Sequence, residues 1–227
     1  MPVPRERGSG FRILDISRTL EPATAVWPGD QPFGISWTAR IAEGSSVNLT
    51  CLRGSPHVGT HTDAPLHVRD GAPGVGELDL APYLGPCRVL EATADPGGLI
   101  QPSGLAGLEP GHPPRLLLKT GTDPDPRRWP ERFAALAVET ARFLGRSGVI
   151  LVGLDTPSLD PPDSKSLPAH HALIDAGLRW LENLDLTRVA PGDYELVALP
   201  LKIAGGEASP VRAILIERND AASAGAG

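Results

Sequence analysis

Glycine and proline decide most of what this chain can become. The 26 glycines and 25 prolines are spread through 227 residues, so few stretches are free of breakers long enough to make a long helix. Between the breakers lie short apolar runs: FRILDIS (11–17), GISWTARI (34–41), SVNLTCL (46–52), CRVLEA (87–92), RLLLKTG (115–121), VILVGLD (149–155), DYELVALPLKI (193–203) and VRAILIER (211–218). Gly, Pro and Asp bound them, as they bound strands. Helical periodicity is clearest in FAALAVETARFLGRSG (133–148), where Phe133, Leu136, Val138, Phe143 and Leu144 keep roughly one face and a glycine follows the end. A second, short helix is expected to begin near Pro168. The pattern implies an α/β class: a strand-rich single domain with few helices.

Composition agrees with one domain and narrows its partners. Glycine and proline together stay under the roughly 25–30% that signals disorder, and 41% of the residues are hydrophobic, enough for one sizeable core. The domain is expected to span 11–218, with 1–10 and the small, polar tail NDAASAGAG (219–227) frayed. A formal net charge of −6 and the lack of any basic run leave nucleic acid without an electrostatic attractor. MPVPRERGSG carries no apolar core of a signal peptide, and no stretch approaches the roughly 18 apolar residues of a membrane span. A cytoplasmic protein with no membrane partner is the expectation. Cys51 and Cys87 are far apart with no CxxC spacing, so they are expected to be two buried small hydrophobes.

Three of the six histidines fall in PHVGTHTDAPLH (56–67). On a helix His57 and His61 would share a face, but Asp63 would lie about 200° around from His61 and Pro65 would break the ladder. In an extended chain, side chains alternate, so His57, Gly59, His61 and Asp63 share one side. A flat strand would still hold the Cα atoms of His57 and His61 about 13 Å apart, too far for ligands that sit about 2 Å from an ion. The chain must therefore bend. Gly59 is where it can, and a missing side chain there leaves open the space a metal would fill. His57, His61 and Asp63 thus make half a site for a zinc-type ion, and Asp63, with two oxygens, could bridge two. His67, beyond Pro65, need not be a ligand; a free imidazole there suits proton transfer.

Further ligands must come from LPAHHALIDAGLRWLENLDL (167–186). Adjacent residues on a helix point about 100° apart, so at most one of His170 and His171 meets a given ion, and periodicity does not choose between them. Glu182 stands 12 residues after His170, about 18 Å away on an unbroken helix. The two can meet only if the chain turns back, and Gly177 is the natural place for that turn.

With these residues in view, the chain resembles the metal-dependent cyclase superfamily, whose mark H-x-G-T-H-x-D-x-P-x-H stands intact as His57, Gly59, Thr60, His61, Asp63, Pro65 and His67. Within it, DISRTLEPATAVWPGD (15–30), GLDTPSLDPPDSKSLPAHHAL (153–173), LENLDL (181–186) and DYELVALPLKIAGGEASPVRAIL (193–215) resemble the bacterial kynurenine formamidase (arylformamidase) family. The resemblance implies a cyclase-type swivelling β/β/α fold, a homodimer and two Zn2+ ions per subunit, with Mn2+ or another divalent metal an alternative. It implies that His57, His61 and Asp63 bind one metal, that Asp63 and His170 bind the other and that Glu182 bridges. His67 becomes the general acid/base and Trp27 a substrate contact. The implied reaction is hydrolysis of N-formyl-L-kynurenine to L-kynurenine and formate. An isatin hydrolase-like amide hydrolase and a non-catalytic metal-binding protein are the alternatives. A serine hydrolase lacks its G-x-S-x-G elbow here. Asp155, Asp160, Asp163 and Lys165 lie in a Pro-rich loop where turn formation accounts for the aspartates equally well.

Overall fold

Residues 10–218, apart from 95–96, 106 and 123–124, are described by a computed structural model. The first half of the chain supplies β1 (Phe11–Asp15), β2 (Gly34–Ala39), β3 (Leu49–Arg53), β4 (His61–Asp63), β5 (Leu84–Glu91) and β6 (Leu99–Ile100). The second half supplies β7 (Arg115–Lys119), β8 (Ala135–Leu136), helix α1 (Val138–Arg146), β9 (Leu151–Leu154), helix α2 (Pro168–Asp175), β10 (Arg179–Leu181), β11 (Gly192–Val197), β12 (Ala208–Pro210) and β13 (Ile214–Arg218). Seven of these strands form one mixed sheet in the order β1-β13-β11-β5-β7-β9-β10. It is antiparallel from β1 to β5 and parallel from β5 to β10. The result is a strand-rich mixed α/β fold with few helices, as the spacing of breakers predicts.

Alternation along the central strands sorts the core into two layers. Leu90 of β5, Leu116 and Leu118 of β7, Val152 and Leu154 of β9 and Trp180 of β10 share a cluster with the buried faces of α1 and α2. Val89, Leu117, Leu151 and Leu181, their neighbours in sequence, face the other way and pack with Ile16, Ala64 and Tyr83. With both faces covered, β7 and β9 read as continuous apolar runs rather than alternating ones. The small β12–β4 ribbon adds a further β layer, and β4 packs against β10 at the sheet edge.

The structure departs from expectation in several places. The helix over 133–148 starts only at Val138; Ala135–Leu136 is instead β8, paired parallel with β6, and Leu136 donates its amide to the Leu159 carbonyl. A run of small and apolar residues fits either state, and the tertiary partner decides. The run 193–203 is a strand only to Val197. β2 and β3 pair with each other and stand apart from the main sheet. Cys87 is fully buried, whereas Cys51, on β3, is exposed, which corrects the expectation of two buried thiols. The proposed frayed ends 1–10 and 219–227 lie, except for Gly10, outside the described residues.

Candidate metal centre

Two backbone devices bring the distant histidine and carboxylate stretches together. At Gly59 the chain takes φ +70°, open to glycine at little cost, and turns into β4. The bend is where the spacing requires it, but a Cβ on Gly59 would lie 2.5 Å from Leu20 Cδ2. The space beside its Cα is thus filled by Leu20, not kept for an ion. The second device is the end of α2. Gly177, at φ +75°, donates to the Ile174 carbonyl and Leu178 donates to that of Leu173, the paired bonds of a Schellman cap. The chain then reverses into β10 and runs alongside β4. His61 and Glu182 exchange both backbone hydrogen bonds, at 3.3 and 3.0 Å, which holds their side chains side by side.

The side chains converge. His61 Nε2 lies 3.1 Å from Glu182 Oε2 and 3.5 Å from Asp63 Oδ1; His57 Nδ1 lies 3.1 Å from Asp63 Oδ1. His170 Nε2 is 3.3 Å from Glu182 Oε1 and 3.6 Å from Asp63 Oδ2. His61, Asp63, His170 and Glu182 are all buried. The ring and carbonyl of His171, by contrast, accept from Arg69, and it is His170 whose ring meets Asp63 and Glu182. The His67 ring lies tilted against that of His57, centroids 4.4 Å apart, and 6.0 Å from that of His170. A ring nitrogen of His67 also lies within 4.8 Å of donor atoms of His57 and Asp63.

These contacts are wrong for a self-sufficient hydrogen-bond network. The Nδ1 atom of His61 is 2.8 Å from the Gly59 carbonyl, which can only accept, so in the neutral ring the proton sits there and Nε2 turns a lone pair toward two carboxylates. Despite the short distances, His61 Nε2 and Asp63 Oδ1 have no aligned hydrogen bond among the described residues. Buried polar atoms left without partners are costly, and a cation resolves the cost. The donor separations agree: ligands about 2 Å from a tetrahedral ion lie about 3.3 Å from one another. The residues present therefore fit a divalent metal of the zinc type.

Electrostatics carry the same imprint. Burial alone would push the His61 imidazole down, but the facing carboxylates of Glu182 and Asp63 outweigh it and raise it to about 9. Burial and the charge of Asp63 would raise Glu182, yet His170 and His61 hold it below its ordinary value. For Asp63, burial again pulls upward and the neighbouring His170 and His57 win, leaving it well below the usual carboxylate range. His67 goes the other way: burial lowers it, and the pull of Asp63 does not restore it, so it stays a neutral imidazole near pH 7.

Several supporting groups were not legible from the sequence. Trp180, fully buried, donates its indole N–H to Asp63 Oδ2 at 3.2 Å, and the Leu159 amide donates to Glu182 Oε1 at 2.8 Å. Glu207 Oε1 lies 3.5 Å from His57 Nε2. Asp160 is buried against His170, whereas Asp155 holds Thr120 at the end of β7 and Asp163 and Lys165 are exposed. Trp27 sits partly exposed in a loop, its ring edge-on to Trp129 at 5.1 Å; Trp129 in turn contacts Phe133.

Fold and site together define a metal-dependent hydrolase, and the Cyclase family model matches residues 14–161. The chain belongs to that family. It is 49% identical over 211 residues to the kynurenine formamidase of Salinibacter ruber, a match covering 92% of this chain and 99% of the relative. Among solved structures it resembles isatin hydrolase A from Labrenzia aggregata, with a TM-score of 0.78 and 26% identity over 92% of this chain and 94% of the other. A potential metal-dependent hydrolase with cyclase activity gives a TM-score of 0.74 at 26% identity, covering 92% and 98%.

Proposed function

We propose that this chain is a kynurenine formamidase, an arylformamidase that hydrolyses N-formyl-L-kynurenine to L-kynurenine and formate, built as one hydrolase domain over 11–218. The observation that carries the reading is the convergence of His57, His61, Asp63, His170 and Glu182, with orphaned donor atoms, in a chain so similar to a curated enzyme of that name. His57, His61 and Asp63 would hold one divalent ion, Asp63 and His170 would hold a second, and Glu182 would complete the donor set; Zn2+ suits the nitrogen and carboxylate donors, and Mn2+ is the next candidate. Such ions, when bound, make water nucleophilic near neutral pH and polarise the carbonyl under attack.

The chain's own groups do the rest. His67, kept neutral by burial beside His57, takes a proton as water adds to the formyl carbon and returns it to the aryl nitrogen as the C–N bond breaks. Trp27, with one edge of its ring set against Trp129, offers an aromatic surface for the aryl ring of the substrate. No helix among the described residues is long and apolar enough to cross a membrane, which fits a cytoplasmic enzyme acting on a small molecule. A homodimer is favoured by the apolar β2–β3 arm, where Ile35, Trp37 and Leu52 are half exposed or more.

The test is an N-formylkynurenine assay run beside metal analysis. Formate should be released, should cease after chelation and should return with Zn2+ or Mn2+. Isatin, offered in parallel, should be a poor substrate; turnover of isatin in preference to the formamide, or turnover indifferent to chelators, would reject the proposal.

A further inference from the structure

The three histidines expected to ligate differ in what holds their rings. His61 is fixed by its own backbone, through the Gly59 carbonyl. His57 meets Glu207, which is partly exposed, at 3.5 Å. Of the three, His170 is the one tied to a buried carboxylate outside the proposed ligand set: its Nδ1 lies 2.6 Å from Asp160 Oδ2. Asp160 is only 1% exposed and accepts two more hydrogen bonds, from the amides of Ala169 (3.0 Å) and His170 (3.1 Å). These are buried first-turn donors of α2, which have no carbonyl within the helix to bond; the helix begins at Pro168, has no amide there to satisfy, and gets no side-chain cap from Leu167.

We propose that Asp160 is a positioning residue of the metal centre: it keeps the His170 proton on Nδ1 and so presents Nε2 to the ion shared with Asp63 and Glu182. The inference rests on the ligand set proposed above. Its logic is directional. A carboxylate only accepts, so the nitrogen facing it must carry the proton, and the opposite nitrogen, 3.3 Å from Glu182 and 3.6 Å from Asp63, must carry the lone pair. The same carboxylate is anchored to the helix start, so ring and backbone are set as one unit. Asparagine cannot reproduce this. With its NH2 at the Oδ2 position it opposes the His170 amide and donates to Nδ1, driving the ring proton onto the ligand atom. With its NH2 at the Oδ1 position it opposes the Ala169 amide.

The experiment compares wild type with Asp160→Asn, using Zn2+ as the probe. Zinc stoichiometry and affinity are read by competition with a chromophoric chelator, and the His170 ring in the zinc-loaded wild type is read by long-range 1H–15N correlation. Expected are a protonated Nδ1 and a metal-bound Nε2 in the wild type. In D160N one zinc should bind nearly as before, and the second should bind about 10- to 100-fold more weakly. A cap of α2 and nothing more would lower the melting midpoint and leave both affinities intact, which overturns the proposal. So would a wild-type spectrum with the proton on Nε2, a readout that stands even if the variant fails to fold. Wild-type protein that takes up no zinc would instead overturn the ligand assignment itself.

Discussion

Asp63 shows how much a single side chain can be asked to do. Its Oδ1 faces His57 and His61, its Oδ2 accepts from Trp180 and faces His170, and the whole group is buried. An uncompensated carboxylate in such a place is costly unless cations balance it, and the imidazole of His61, facing Glu182 and Asp63, is drawn toward its charged form, as is that of His170 beside Asp160 and Asp63. His67 goes the other way from His61 and His170, lowered by burial, which suits the proton transfer proposed for it. His67→Ala should lower kcat by about 10²- to 10⁴-fold while both metals stay bound, measured by steady-state kinetics beside metal analysis. Loss of a metal with the activity would make His67 a ligand, as its nearness to Asp63 permits. At this scale the sequence was partly legible. His57, His61 and Asp63 could be read because one short segment holds them and alternation fixes their side. Asp160 could not, because an aspartate among prolines reads as a turn former until the chain is folded and its partner, ten residues on, is seen.

Elements were legible where they carry their own punctuation. Gly177 announces the end of α2 and the return of Glu182, since the left-handed residue of a helix cap is a local demand. The end of α1 was equally plain, but its start was not: Ala135 and Leu136 become a strand only because β6 lies beside them. The antiparallel end of the sheet depends on a similar nonlocal contact. Asp15, closing β1, receives Arg212 through three contacts of 2.5–3.1 Å just before β13 begins. Burial would raise the Asp15 pKa, but the hydrogen bonds from Arg212 and Ser17 prevail and lower it. A lowered carboxylate stabilises the fold at pH above its unfolded value, and that contribution is lost as the pH falls through the folded one. Asp15→Asn should therefore melt lower than wild type at pH 7, by at most about 2–4 °C for an exposed pair worth no more than about 1 kcal/mol. The gap should close on acidification below the ordinary carboxylate range. Melting curves across pH check this; a gap that stays constant would show that the charge of Asp15 is not its cause.

For the whole molecule, the feature that most needs a partner is the β2–β3 arm. A two-stranded ribbon alone is marginal in water, and among the described residues this one is paired with no other strand. Register places Ile35 opposite Leu52, on the face that Trp37 shares by alternation, and all three are at least 51% exposed. Leu52 also lines a groove of about 520 Å³ with Leu201 and Ile203, so apolar surface continues from the arm onto the body of the domain. Sequence alternation could reveal these strands but not their isolation, because an apolar face looks the same whether the chain's own core or another chain covers it. A contiguous exposed apolar patch of this kind marks an interaction surface, and the proposed homodimer would place a second copy on it. Light scattering on the purified protein should give about twice the 23.8 kDa of one chain. Trp37→Asp combined with Leu52→Asp should return it to one chain's mass, since a charge buried at the centre of each patch costs more than the rest of the contact supplies. The main sheet carries neither residue, so circular dichroism of the double variant should keep its wild-type shape. A variant that folds yet keeps the doubled mass would place the dimer interface elsewhere and leave the arm without the role argued for it.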